Sequence, residues 1–188
     1  MTKILIGLAG AVGVGKTTVA DILTIHGYYA YAFADPVKAA VKVAFDLELS
    51  WLTDERKNEV HPYWGMTPRE MYQKFGTDAM QPVFGADVWV RAMEHRLIEG
   101  NHQRAVITDV RPGLNGVNLE ADFIRKHGVL VHVEGPSRRE QPASRISHSS
   151  NGKVPWQYGD LVLDNSGDIR DLQAAVAALL NKLGDRDA

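Results

Sequence analysis

Cysteine is absent from the 188-residue sequence, so the chain can form no disulfide and offers no thiol nucleophile or thiolate metal site. Long apolar runs are absent as well, since no stretch approaches the ~20 residues that a membrane-spanning helix needs. A charge imbalance is also missing. The formal net charge is −2, which gives no general attraction to nucleic acids or membrane surfaces. We therefore expect neither a nucleic acid nor a membrane as partner.

The composition that remains fits one globular domain. Hydrophobic residues make up 45% and charged residues 23% of the sequence, an ordinary balance for a protein with a sizeable core. The N-terminal stretch "MTKILIGLAG" has one lysine and a short apolar run but no small-residue cleavage site, unlike a signal peptide. We expect a single domain over residues 1–188, intact from Met1 and located in the cytoplasm.

Short apolar runs alternate with segments of helical periodicity along the chain. The runs, typical of strands buried on both faces, are "KILIGLA", "YYAYAF", "AVITDV", "VLVHVEG" and "DLVLDN". The predicted helices span 17–26, 36–47, a segment starting at the capping box "TPRE" (67–70), 87–99, a segment ending near 127 and 169–183. This alternation predicts an α/β fold with a parallel sheet covered by helices on both faces.

A glycine-rich loop, "GAVGVGKTT" (10–18), follows the first predicted strand. Gly10, Gly15, Lys16 and Thr17 match the spacing G-x-x-x-x-G-K-[ST] between a strand and a helix. Glycines let several backbone N–H groups converge on one anion, and the helix start adds its positive dipole end. Lys16 supplies a charge for the outer phosphates, and the Thr17 hydroxyl can bind Mg²⁺. The predicted nucleotide-binding residues are Gly10, Ala11, Val12, Gly13, Val14, Gly15, Lys16, Thr17 and Thr18.

Charged side chains follow two further predicted strands. Asp35 and Lys38 lie in "FADPVK", and Asp109 and Arg111 lie in "ITDVRP". Loops at the carboxyl ends of parallel strands face the ligand crevice, so we expect all four there. Asp109 can hold Mg²⁺ through water, and Arg111 can bind a phosphate through two parallel hydrogen bonds. The alternatives are that Asp35 caps the helix begun by Pro36 and that Asp109 and Arg111 form a surface ion pair.

Residues 136–160 interrupt the alternation with a long loop rich in arginine, serine, glycine and proline. Arginines on such a segment can close over a phosphate chain and exclude water. The alternative is a solvated basic loop. The residues predicted to act there are Arg138, Arg139, Arg145 and His148.

Taken in order, six segments resemble the phage-type deoxynucleoside monophosphate kinases, over nearly the whole chain. They are "GLAGAVGVGKTTVADIL", "FADPVK", "TPREMYQKFGTDAMQPVFGADVWV", "ITDVR", "SRISHSS" and "DLVLDNSGDIRDL". The resemblance implies a three-layer P-loop kinase fold with five parallel strands in the order 2-3-1-4-5. It also implies a helical monophosphate-binding region at about 50–85 and a lid at about 136–155. The implied reaction is ATP plus dNMP giving ADP plus dNDP, with Mg²⁺.

The same resemblance assigns roles to individual positions. Lys16 and Thr17 would serve ATP and metal. The implied acceptor-binding residues are Asp35, Lys38, Arg69, Arg111 and His148, and the implied catalytic residues are Lys16, Arg111, Arg138, Arg139 and Arg145. The chain departs from the family pattern at Gln81, where an arginine is common, and at Asn151, where a glutamate is common.

Three other functions share part of this pattern. A dephospho-coenzyme A kinase would use an aspartate such as Asp35 as general base toward a ribose hydroxyl. A GTPase switch would need Asn-Lys-x-Asp, to which only "NKLG" at 181–184 comes near. A nucleic-acid-coupled ATPase is disfavoured by the net charge. We therefore expect a nucleotide kinase that uses ATP and Mg²⁺ on a small-molecule acceptor, as a monomer or homodimer, in the host cytoplasm if phage-encoded.

Overall fold

The computed structural model describes residues 4–53, 55–113, 116–137 and 153–184. The chain divides into two compact units. The first unit comprises Met1–Ala32 and His95–Ala188, and the second comprises Phe33–Glu94. Among the described residues, every helix is too short or too polar to span a bilayer.

A five-stranded parallel sheet forms the centre of the first unit. Its strands are β1 (Ile4–Ala9), β2 (Tyr29–Tyr31), β3 (Arg104–Ile107), β4 (Val129–Glu134) and β5 (Leu161–Asp164). The spatial order is β2-β3-β1-β4-β5, which confirms the predicted order, and all four pairings are parallel. The central strand β1 pairs with both β3 and β4. The loop after β1 therefore starts at the centre of the side of the sheet where the strands have their C-terminal ends.

The helices agree with the periodicity of the sequence to within a few residues. They are α1 (Lys16–Ile25), α2 (Asp35–Ala44), α3 (Pro68–Gln73), α4 (Gln81–Phe84), α5 (Val88–Gly100), α6 (Leu119–His127) and α7 (Ile169–Lys182), with a π-helical segment at Lys74–Met80. The capping box before α3 is confirmed, because Thr67 and Glu70 exchange hydrogen bonds between side chain and backbone. The π-helical segment was not predicted.

The second predicted helix ends three residues earlier than its apolar spacing indicated. Asp46 has a φ of 47°, and the N–H of Leu47 donates to the carbonyl of Lys42 at 2.9 Å. This is the Schellman arrangement that closes a helix through a left-handed residue. Leu47 lies outside the helix but is still buried. Because the spacing of apolar residues was used to define the predicted helix, the prediction included Leu47.

One face of the sheet packs against α1 and α7. The shared core includes Ile6 and Leu8 from β1, Val19 from α1 and Val176 from α7, all buried. On the other face α6 approaches β1 closely at Gly7, where a methyl group would lie 2.7 Å from the side chain of Ile124. Gly7 thus permits the close helix–sheet contact that covers this face.

The second unit has its own small core. Val37 and Val41 of α2 pack there with Leu47 and with Met71 of α3. Partly buried aromatic residues surround this core, among them Trp64 and Trp89. Their indole N–H groups donate to the carbonyls of Phe45 and Gly76, each at 3.0 Å.

Candidate functional site

The glycine loop connects β1 to α1 and depends on glycine at defined points. Gly10 and Gly15 have φ values of 149° and 100°, in the region that residues with a side chain rarely adopt. Gly15 is also the N-cap of α1, so the left-handed turn directs the chain into the helix. Thr17 lies exposed in the first turn of α1, where backbone N–H groups have no partner within the helix. Such a helix start favours an anion.

The Lys16 side chain folds back across its own loop. Its ammonium donates hydrogen bonds of 2.8 Å to the carbonyl oxygens of Gly10 and Ala11. Burial lowers the pKa of Lys16, the Asp109 carboxylate opposes that change, and the Arg111 guanidinium adds to it. Charges from the loops after β1 and β3 therefore act on one another. The structure brings together three of the residues that the sequence singled out.

The turn after β3 holds Asp109 and Arg111 in place through the backbone. The N–H of Val110 donates to the carbonyl of Leu8 at 3.1 Å, which ties this turn to β1. Asp109 and Arg111 approach to 3.8 Å, and their side chains are 20% and 53% exposed. This is the ion pair that the sequence analysis gave as the alternative, but it is longer than a hydrogen bond. About half of the Arg111 side chain is thus accessible to solvent.

Glu120 completes this cluster and was missed by the sequence analysis. It lies in the first turn of α6, and its carboxyl group accepts a 2.8 Å hydrogen bond from the backbone N–H of Arg111. Burial raises the pKa of Glu120 to about 8, helped by Asp109 and opposed by the Arg111 N–H and guanidinium. An acidic residue in the first turn of a helix is common, so the sequence position of Glu120 gave no indication that it belongs to the site.

Two further polar residues reach the glycine loop from elsewhere in the chain. The Ser137 hydroxyl donates to the carbonyl of Val12 at 3.0 Å, and the Asn165 amide donates to the carbonyl of Val14 at 2.8 Å. Neither residue was predicted. The Asn165 contact joins residues 151 positions apart, and no local pattern marks such a contact.

The remaining predicted acceptor residues divide between the second unit and the undescribed residues. Asp35 is the first residue of α2 and Ala34 is its N-cap, with no capping bond from a side chain. Asp35 therefore does not occupy the N-cap position that the alternative gave it. Lys38 lies one turn further along α2, and Arg69 is exposed in the first turn of α3. Arg138, Arg139, Arg145 and His148, with most of the predicted lid, lie outside the described residues.

Oxygen donors suited to a hard divalent cation are present at the glycine loop. Thr17 offers a hydroxyl and Asp109 a carboxylate, and magnesium prefers oxygen ligands with several positions left to water and phosphate. Within the part of the chain that the structure describes, three or more His, Asp or Glu residues nowhere form a metal-binding group. The donor set thus fits a metal held jointly with a phosphate ligand.

Comparisons with known proteins relate the sequence to one family. A family model for deoxynucleotide monophosphate kinase matches residues 50–176. The chain is 31% identical to a protein of Acanthamoeba polyphaga mimivirus, provisionally named a deoxynucleotide monophosphate kinase, over 95% of this chain and 96% of that protein.

Solved structures resemble the fold at low sequence identity. A Thermus thermophilus protein superposes with a TM-score of 0.58 at 20% identity, covering 97% of this chain and 99% of its own. The dephospho-CoA kinase of Campylobacter jejuni gives a TM-score of 0.51 at 12% identity, with both chains fully covered. At such identities these likenesses concern the fold alone.

Proposed function

The chain belongs to the deoxynucleotide monophosphate kinase family, and from this premise we propose that it transfers the γ-phosphate of ATP to a deoxynucleoside monophosphate. The products are ADP and the deoxynucleoside diphosphate. One observation carries the assignment of the site: Lys16, Asp109 and Arg111 lie within electrostatic reach of one another beside a glycine loop at a helix start.

Phosphoryl transfer between two phosphates requires positioning and charge neutralisation more than covalent chemistry. The acceptor oxygen is already ionised at neutral pH, so no general base is needed. Loop N–H groups and the start of α1 hold the donor phosphates. Lys16 turns from the carbonyls of Gly10 and Ala11 toward the outer phosphates, exchanging two neutral acceptors for charged ones.

Magnesium, when bound, supplies neutralisation of the charge on the transferred phosphate. Thr17 and Asp109 are the residues that would hold it, since both offer oxygen ligands at the glycine loop. Glu120 keeps the backbone of Arg111 fixed through its 2.8 Å hydrogen bond, so the Asp109–Arg111 turn is preorganised.

Arg111 is our candidate for the acceptor phosphate. Its half-exposed guanidinium can form the planar, two-point contact that a phosphate favours. We assign Asp35, Lys38, Arg69 and His148 to the same acceptor on their sequence positions. Arg138, Arg139 and Arg145 are proposed, again from sequence, to neutralise charge during transfer.

The experiment is a substrate panel. Each dNMP and NMP, and dephospho-coenzyme A, is supplied with ATP and Mg²⁺, and ADP release is followed together with the phosphorylated product. We expect product with one or more dNMPs and none with dephospho-coenzyme A. The Lys16→Ala variant is the background control. ATP turnover that is independent of every nucleotide acceptor would contradict the proposal.

A further inference from the structure

Four backbone carbonyl groups of the glycine loop accept hydrogen bonds from three side chains. Lys16 bonds the carbonyls of Gly10 and Ala11, Ser137 bonds that of Val12, and Asn165 bonds that of Val14. The two contacts of Lys16 are lost if its ammonium engages phosphate. The contacts from Ser137 and Asn165 have no such conflict, because neither side chain carries the charge that phosphate attracts.

Asn165 is built into the fold more firmly than Ser137. It directly follows β5, and its backbone N–H donates to the carbonyl of Glu134 at the end of β4 at 2.6 Å. Only 2% of Asn165 is exposed, whereas Ser137 is exposed. The ends of two strands therefore hold the Asn165 side chain against the loop that follows a third strand.

The position of the Asn165 amide explains why residue 15 must lack a side chain. A methyl group on Gly15 would collide with Nδ2 of Asn165. The amide thus fills the space directly beneath the residue that precedes Lys16 and caps α1. A peptide unit whose carbonyl is held from below presents the N–H of the next residue in a fixed direction, and here that N–H belongs to Gly15.

The Oδ1 atom of Asn165 is buried and has no hydrogen-bond partner among the described residues. An unpaired buried acceptor destabilises the folded state. The amide is therefore present in spite of that cost, and its donor group, directed at the Val14 carbonyl, is the part that makes a contact.

We propose that Asn165 is a positioning residue for the donor phosphates, which acts by holding the Val14 carbonyl and so aiming the amide groups of the glycine loop. The inference deepens the proposed kinase function and rests on it for the identity of the donor. Asn165 does not touch the reacting atoms in this assignment; its effect passes through the Val14–Gly15 peptide.

The test uses Asn165→Asp in the full chain. The substitution keeps size and shape but places a carboxylate where a donor is needed, opposite the Val14 carbonyl. We expect the Kd for ATP, measured by calorimetry, to rise at least tenfold, and KM for ATP to rise with it. KM for the dNMP is expected to stay within twofold. Asp164→Asn is the matched control, since the adjacent Asp164 accepts only from Ser166 in the described contacts.

Tripolyphosphate serves as a second probe because it carries the phosphate chain without a nucleoside. Asn165→Asp should weaken its binding by the same factor as that of ATP. Asn165→Ser, which removes the contact without adding charge, is the second variant if the aspartate variant fails to fold, and a smaller loss of the same kind is expected.

The results separate this inference from the proposed function. Unchanged affinity for ATP and tripolyphosphate, with only a lower Tm, would show a purely structural role and overturn the inference. A loss confined to ATP would place Asn165 at the nucleoside and overturn it too. Both binding measurements are independent of turnover, so a wild-type protein that binds ATP but phosphorylates no dNMP refutes only the kinase proposal.

Discussion

Two charged clusters in the first unit differ in how fully their members are paired. In the buried cluster, Asp160 accepts hydrogen bonds from Arg125 at 2.8 and 3.0 Å, from the backbone of Gln157 at 3.0 Å, and contacts His132 at 2.9 Å. The Asp160 side chain is 2% exposed and that of Arg125 14%. In the phosphate-side cluster (Lys16, Asp109, Arg111 and Glu120), the hydrogen bonds of Lys16 to described residues go to two neutral carbonyls, and Arg111 lies 3.8 Å from Asp109.

The difference indicates what each cluster is for. The buried cluster joins α6, β4 and the segment before β5 and satisfies its central carboxylate completely, as a stabilising network must. The phosphate-side cluster holds two cations near each other, and the described ion pair between its side chains, from Arg111 to Asp109, is 3.8 Å long. Such an arrangement is costly in the protein by itself and favourable once a phosphate is present. Removing charge should therefore affect folding at the first cluster and activity at the second.

The largest effect is expected from Lys16→Ala. In the proposed mechanism its ammonium is the charge that meets the outer phosphates, so kcat/KM for ATP should fall at least ~100-fold, corresponding to about 3 kcal/mol of transition-state stabilisation. The unfolding free energy should change by less than about 1 kcal/mol, because only two exposed or half-buried hydrogen bonds are lost. Steady-state kinetics and urea unfolding measure both; activity within a few-fold of wild type would refute the loop's role.

Asp160→Asn should have the opposite pattern. Neutralising the carboxylate removes the buried countercharge of Arg125, itself largely buried, and removing one partner of a buried pair typically costs about 3 kcal/mol. The loss should appear as a lower urea midpoint with an unchanged slope. A change below about 1 kcal/mol would mean that the buried cluster contributes little to stability, and the contrast between the clusters would fail.

The same carboxylate predicts a specific acid sensitivity. Burial, the largest single influence, raises the pKa of Asp160, but hydrogen bonds from Arg125, His132 and Gln157 together outweigh it and lower the pKa to about 2. The unfolded carboxyl takes up its proton near pH 3.9, so the unfolded state binds more protons between these values. Stability is then lost as the pH falls.

The expected size of this loss is about 2 kcal/mol, most of it between pH 5 and pH 2.5. Urea unfolding of wild type and Asp160→Asn at several pH values isolates the contribution, because all other carboxylates titrate in both proteins. The two stability curves should converge as the pH falls. Parallel curves would contradict the lowered pKa.

Arg111→Lys tests the acceptor side of the phosphate-side cluster. Lysine keeps the charge but cannot make the planar, two-point contact of a guanidinium. We therefore expect kcat/KM for the dNMP to fall roughly 30-fold, which corresponds to about 2 kcal/mol. The Kd for ATP should stay within about twofold, since we assign ATP to the glycine loop. Equal losses for ATP and dNMP would move Arg111 to the donor site.

The sequence predicted those parts of the fold and site that depend on neighbours in the chain. Strands, helices and the Thr67–Glu70 capping box follow from local spacing, and so does the placement of Lys16 and Thr17 at the start of α1. The sheet order came from the family resemblance. Asp109 and Arg111 were located because strand ends in a parallel sheet share an edge.

Contacts between distant residues could not be derived in this way. Asn165 meets Val14 across 151 positions and Arg125 meets Asp160 across 35. Glu120 depends on a turn between β3 and α6 that has no periodicity. Each of these residues is polar in a sequence with many polar residues, and only the folded chain distinguishes it from a solvated side chain.

The smallest expected effect comes from a matched control at the buried cluster. Arg125 has a second carboxylate partner, Asp122, at 3.3 Å on the same helix, and the Asp122 side chain is 57% exposed. Water solvates both Asp122 and its substitute, so Asp122→Asn should cost no more than about 0.5 kcal/mol.

The same arginine thus loses a negative partner in both variants, once in solvent and once in the interior. If Asp122→Asn destabilised the protein as much as Asp160→Asn, burial would not be the reason for the strength of the cluster. A ratio of about six between the two losses, measured by urea unfolding at pH 7, is the outcome that assigns that strength to the buried carboxylate.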